Sequence, residues 1–351
     1  MKHFLILALG LLFISCGSSK KTVLKPTPSV TDFQNTITEE GLFIDLSFIA
    51  SDSLEGRDTG SEGLKKAAEF LAQRYSDLGL EAVGDDGTYY QHFNAYWRTS
   101  GADSVPTKNV VAFLEGTDPV LKNELIVLSA HYDHVGISTP DSTGDTIYNG
   151  ADDDGSGTVG LLHTAQALAA AKQAGASIKR SILFLHVSGE ERGLLGSRYY
   201  SDHPIFPIGQ TIANLNVDMI GRRDPENIDN PDYVYIIGGK IISSELQAIL
   251  EQANEESVNI ELSDRYNDLN DPNQFYRRSD HWNFGRLGVP FIFYFNGTHA
   301  DYHRPSDEVD KIDFEALKKR TQLIFMTTAL LANSEDRPTV DNQEFIQRTQ
   351  Q

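Results

Sequence analysis

The chain has 351 residues, 40% of them hydrophobic, enough to bury a large core and too apolar for a disordered protein. Its 50 acidic residues against 30 basic ones leave a formal charge of −20, a field that repels phosphate backbones and so argues against a nucleic-acid partner. With a single cysteine, Cys16, no intrachain disulfide can form.

Met1-Lys2-His3 precedes an apolar run from Phe4 to Ile14 that ends at Ser15-Cys16-Gly17. The run is shorter than the roughly 20 residues that span a bilayer and fits the h-region of a signal peptide. A cysteine in that place resembles the lipobox of bacterial lipoproteins, so residues 1–16 are expected to form a leader. The protein would then be exported and held to a membrane through lipidated Cys16, facing the periplasm. Residues 17–40 are polar with two prolines, as in a tether. A single domain is expected over 41–335, followed by a polar tail over 336–351. Nothing in the sequence specifies an oligomeric state.

Within the domain, Leu64, Ala67, Ala68, Leu71, Tyr75 and Leu78 recur at three- and four-residue spacing, predicting a helix from Ser61 to Leu80. From Val110 onward short apolar runs alternate with helical stretches. Strands are predicted at 110–114, 125–129, 182–187, 215–219, 233–237 and 291–295, and helices at 157–172, 243–254 and 314–333. This pattern specifies an α/β fold, a three-layer sandwich with a mixed, mostly parallel central sheet flanked by helices. Ligands collect at the carboxyl ends of the strands in such folds.

Polar residues fall at those ends. The strand at 125–129 runs into Ala130-His131-Tyr132-Asp133-His134, where Asp133 is placed to accept the second imidazole proton of His131. Gly150-Ala151-Asp152-Asp153-Asp154-Gly155 opens directly into a helix. One aspartate there would serve as a helix cap, whereas three in succession repel one another unless a cation compensates. Glu190 and Glu191 follow the strand at 182–187, and adjacent carboxylates near an interior divide naturally into a metal ligand and a proton carrier. Asp218 falls within the apolar strand at 215–219, where an unpaired carboxylate would be costly, and His299, Tyr302 and His303 follow the last strand. The mixture of histidine and carboxylate matches zinc. Two ions about 3.5 to 4 Å apart would need a bridging carboxylate.

With these motifs the chain resembles the twenty-eighth metallopeptidase family, the co-catalytic zinc aminopeptidases that also include glutaminyl cyclases. The resemblance begins near Leu46, with Ser51-Asp52-Ser53-Leu54-Glu55-Gly56-Arg57, and runs to Asp313. It implies two zinc ions and peptide substrates. His131, Asp153 and Asp218 would hold one ion, Asp153 would bridge, and Glu191 and His303 would complete the second site. Asp133 would orient His131, Glu190 would be the general base of a metal-activated water, and Tyr302 would help polarise the scissile carbonyl. Asp153 is assigned as the bridge because that residue in the family is followed by Asp or Asn and then Gly, here Asp154-Gly155. A cyclase on the same fold is the alternative function, although cyclases carry Trp where this chain has Tyr302. A non-catalytic binding relative is the other alternative, and here no ligand position is missing.

Overall fold

The computed structural model describes residues 27–97 and 104–349, so the expected leader and Cys16 lie outside the described residues. Among the described residues there are ten strands: β1 (Tyr90–Ala95), β2 (Val105–Leu114), β3 (Leu125–His131), β4 (Gly136–Ile137), β5 (Ile147–Tyr148), β6 (Ser181–Val187), β7 (Thr211–Val217), β8 (Tyr233–Gly238), β9 (Glu261–Ser263) and β10 (Phe291–Phe295). The helices are α1 (Glu39–Ile49), α2 (Glu62–Asp77), α3 (Gly157–Gln173), α4 (Leu195–Asp202), α5 (Ser244–Glu255), α6 (His281–Gly285), α7 (Phe314–Asn333) and α8 (Gln343–Thr349).

Eight strands form one sheet in the order β1-β2-β6-β3-β7-β10-β8-β9, and β4 pairs with β5 outside it. β6, β3, β7 and β10 run parallel, while β1, β2 and β8 make antiparallel pairings at the flanks. This is the expected mixed, mostly parallel sheet between helical layers. The parallel strands are buried on both faces because alternate side chains enter different cores. In β6, Ile182 and Phe184 pack in the large core formed with α1, α2, α3, α5 and α7. Leu183, Leu185 and Val187 point the other way, toward Tyr200 of α4 and Phe284 of α6.

Helix starts follow side-chain chemistry. Ser61 caps α2 by accepting from Leu64 N–H at 3.1 Å, and Asp313 caps α7 by accepting from Ala316 N–H at 3.1 Å. Residues 30–40, expected to belong to a tether, are instead structured. A 3-10 turn over Val30–Thr36 is docked on the large core, with Val30 and Ile37 buried, and α1 begins at Glu39. Phe33 also packs against that core. The C-terminal tail likewise contains α8, whose buried Phe345 meets Phe291 edge-on at 6.0 Å between ring centroids. No helix among the described residues is long and apolar enough to cross a membrane.

Because β6, β3, β7 and β10 point the same way, their carboxyl ends share one edge of the sheet. His131 ends β3, Asp218 follows β7 by one residue, Glu190 and Glu191 follow β6, and His303 lies in the loop after β10.

Candidate metal centre

Arg57 holds the loops that carry the site. Its fully buried guanidinium donates to the carbonyls of Tyr132 at 2.9 Å, Ile49 at 2.6 Å, Asn149 at 2.7 Å and Gly150 at 3.0 Å. Burial lowers its pKa to about 10, which still leaves it charged at neutral pH beside Asp153 and Asp133. The Ser51–Arg57 motif thus supplies both a staple and a counter-charge. Gly150 has φ +55°, and a Cβ there would lie 2.3 Å from the Asp153 carbonyl and 2.6 Å from the His134 ring. Only glycine allows the two loops so close together.

The three consecutive aspartates do different work. Asp152 accepts from Gly221 N–H at 2.7 Å and from the Ser156 hydroxyl at 2.9 Å, and also contacts His299 at 3.0 Å. Asp154 Oδ1 accepts from Met219 N–H and Gly157 N–H, each at 2.9 Å. Asp153 instead turns its carboxylate between two clusters. Oδ1 lies 3.3 Å from His131 Nε2, and Oδ2 lies 3.0 Å from His303 Nε2. Its backbone N–H donates to Asp307 Oδ2 at 3.1 Å.

Around the first cluster, His131 Nε2 is 3.6 Å from Asp218 Oδ1. Asp218 Oδ2 accepts from the Ser279 hydroxyl at 2.7 Å, and Ser279 accepts in turn from Asn216 at 2.9 Å. Asn216 is fixed by the Ser129 hydroxyl at 2.6 Å. This buried chain sets the carboxylate's direction. Around the second cluster, Glu191 Oε1 is 3.1 Å from His303 Nε2 and 3.0 Å from His134 Nδ1. The ligand-type atoms of His134, Asp153, Glu191 and His303 lie within 4.8 Å of one another, as do those of His131, Asp154 and Asp218.

Asp133 touches His131 differently from expectation. The imidazole Nδ1 is 3.1 Å from the Asp133 backbone carbonyl, while the carboxylate stands off at 3.9 Å. That carboxylate is engaged elsewhere, accepting from Thr59 Oγ1 at 3.1 Å and from Glu190 N–H at 3.2 Å. Burial pushes its pKa up to about 6. Asp133 therefore ties the His131 loop to the Glu190 backbone, and its carbonyl selects the tautomer that frees Nε2.

Glu190, Tyr302, His131, Asp153 and Asp218 line one cavity, walled further by Met219, Phe275, Phe293 and Phe295, with Arg278 and Thr298 also lining it. Burial holds the Glu190 carboxyl well above the usual range, His131 opposing and Glu191, Asp218 and Asp280 reinforcing the shift. The Tyr302 ring stacks on His303 with centroids 4.0 Å apart. All eight residues named from the sequence thus converge on one place.

A cation fits this place. Glu191 Oε1, Asp153 Oδ2, Asp154 Oδ2 and both nitrogens of His134 are buried without a hydrogen-bond partner. Leaving so many polar atoms unpaired would be costly, and a divalent ion taking nitrogen and oxygen donors satisfies them together.

His134 was not among the expected ligands. Its signal was present as the second histidine of His131-Tyr132-Asp133-His134, but sequence does not show which of two nearby histidines turns inward. Ser279 and Asp280 precede the short helix α6. Both are buried, and burial pushes Asp280 up to about 7. The segment over 261–280 contributes Phe275 and Arg278 to the cavity wall. The one over 222–232 packs against β8, where Asp224 accepts from the Tyr235 hydroxyl at 2.6 Å.

A mixed sheet with histidine and carboxylate clusters at the ends of its parallel strands defines an α/β protein with a candidate two-metal site. The model of Peptidase family M28 matches residues 109–328, and the chain belongs to that family. It is 24% identical over 300 residues to leucine aminopeptidase 1 of Trichoderma harzianum, covering 84% of this chain and 69% of the relative. It is 28% identical over 263 residues to the probable leucine aminopeptidase 2 of Aspergillus oryzae, covering 68% and 47%. The aligned part thus spans about half the length of that second relative. Among solved structures, a zinc aminopeptidase from Bacillus subtilis superposes with a TM-score of 0.64 at 16% identity, covering 87% of this chain and 98% of that one. A glutaminyl cyclase from Porphyromonas gingivalis superposes with a TM-score of 0.61 at 17% identity, covering 83% and 97%. These likenesses confirm the fold.

Proposed function

We propose that the chain is a two-zinc aminopeptidase that removes amino-terminal residues from peptides. The observation carrying this reading is the Asp153 carboxylate, which presents one oxygen to His131 and the other to His303 beside the cavity lined by Glu190. His131, Asp153 and Asp218 would hold one ion, and Asp153, Glu191 and His303 would hold the other. Bound there, the ions supply Lewis acidity that polarises the scissile carbonyl and acidifies water.

The chain's own groups do the rest. Glu190, its proton affinity raised by burial, takes a proton from water as the water oxygen bonds to the carbonyl carbon. It then gives that proton to the peptide nitrogen as the C–N bond breaks. The Tyr302 hydroxyl, kept protonated by burial and by the surrounding carboxylates, donates to the carbonyl oxygen as negative charge develops there. The carboxylates draw in the substrate's α-ammonium group, and Met219, Phe275, Phe293 and Phe295 receive an apolar first side chain. The leucine aminopeptidase names of the relatives agree with such a wall. The test is hydrolysis of leucine p-nitroanilide and of its N-acetylated form, with a glutaminyl peptide as third substrate. The free anilide is expected to be cleaved and the acetylated one spared. Ring closure of the glutaminyl peptide without anilide cleavage would instead identify a cyclase.

The same proposal includes export and a lipid anchor at Cys16, supported by the apolar run Phe4–Ile14 just before it. Cys16→Ser is expected to abolish lipid modification and to release the protein from the membrane fraction. Unchanged mass and fractionation would refute the anchor.

A further inference from the structure

His134 is fully buried, and neither of its ring nitrogens has a hydrogen-bond partner. A buried imidazole is expected to use at least one of them. Its Nδ1 is 3.0 Å from Glu191 Oε1 and 3.7 Å from Asp153 Oδ2. His303 Nε2 faces the same two oxygens, at 3.1 and 3.0 Å. Glu191 Oε1 and Asp153 Oδ2 nevertheless accept no hydrogen bond. Two imidazole nitrogens and two carboxylate oxygens at contact distance, with both oxygens and His134 Nδ1 unbonded, aim at a shared centre rather than at one another. That is the arrangement of four donors around a cation.

The backbone holds the ring there independently of any metal. His134 N–H donates to the Arg57 carbonyl at 3.1 Å, and Gly150 leaves the space against which the ring packs. His134 and His303 meet edge-on, with centroids 5.5 Å apart, so the two rings approach from different directions. We infer that His134 Nδ1 is a fourth protein ligand of the second zinc ion, completing a shell of His134, Asp153, Glu191 and His303.

The inference rests on the metal-binding part of the function proposed above and adds a consequence to it. A shell closed by four protein donors resembles a structural zinc site, whereas catalytic ions keep a position open. The second ion is therefore the tightly held one. The first, near His131 and Asp218 on the Glu190 cavity, is the exchangeable one.

The test is zinc affinity by chelator competition on the full chain, comparing the unaltered protein with His134→Ala and His134→Gln. The unaltered chain is expected to release its two ions in two steps, and both variants to weaken the tighter step by at least about 100-fold. Glutamine can still donate a hydrogen bond to Glu191 but replaces imidazole poorly as a zinc ligand. Retained affinity in His134→Gln alone would mean that His134 only orients Glu191 and would overturn the inference. Should the variants fail to fold, the zinc anomalous map of the unaltered protein decides. His134 Nδ1 about 2.0 to 2.1 Å from the second ion supports the inference, and a separation beyond bonding reach overturns it. A chain that binds no zinc would instead remove the metal reading itself, so the two failures are distinguishable.

Discussion

Glu190→Gln is expected to keep the zinc content of the unaltered chain while kcat falls by about 10²- to 10⁴-fold, the usual worth of positioned acid–base catalysis. Glu190 and Glu191 are neighbours in sequence but face different surroundings. Glu191 Oε1 sits between His134 and His303, whereas the Glu190 carboxylate lines the cavity and makes no hydrogen bond among the described residues. Glutamine preserves size and polarity at Glu190 and removes only the ability to take and return a proton. The matching change Glu191→Gln weakens a metal donor, so metal is lost and added zinc restores part of the rate. Parallel zinc analysis and steady-state kinetics on the two variants check the division. Loss of metal from Glu190→Gln with retention in Glu191→Gln would reverse the roles.

Asp153→Asn is expected to lower zinc at both positions, because a single carboxylate faces both clusters. The amide keeps one carbonyl oxygen but loses the charge that offsets two divalent ions, and its NH₂ group presents protons where the other ion needs a lone pair. The fold should survive, since Asp307 holds the Asp153 backbone N–H rather than its side chain. Far-ultraviolet circular dichroism separates metal loss from unfolding. Asp152→Asn is the contrasting change, expected to disturb loop packing through Gly221, Ser156 and His299 before metal binding.

The strands were legible because each parallel one is a short apolar run ended abruptly by polar residues, and that boundary also marked His131, Glu190, Glu191 and Asp218. β1 escaped this reading. Tyr90-Gln91-His92-Phe93-Asn94-Ala95 alternates buried and exposed positions, and its polar members hide the strand until β2 is there to pair with it. Val30, Ile37 and Phe345 were hidden for a related reason, since single apolar residues in polar segments gain their meaning only from the core they meet. At the site, sequence indicated an aspartate cluster, and family resemblance chose Asp153. The reason is three-dimensional: Asp152 Oδ1 and Asp154 Oδ1 accept from backbone N–H groups, and Asp154 lies with His131 and Asp218 alone, so that only Asp153 faces both clusters. The same limit concealed His134, whose inward turn depends on Arg57 and Gly150, remote from it in sequence.

The central claim is that one carboxylate joins two metal positions. Its most direct test is the zinc count per chain, by plasma mass spectrometry, of the unaltered protein and of Asp153→Asn after identical dialysis. The expected result is two ions in the former and fewer than one in the latter. A single ion in the unaltered protein, or two still held by Asp153→Asn, would contradict it.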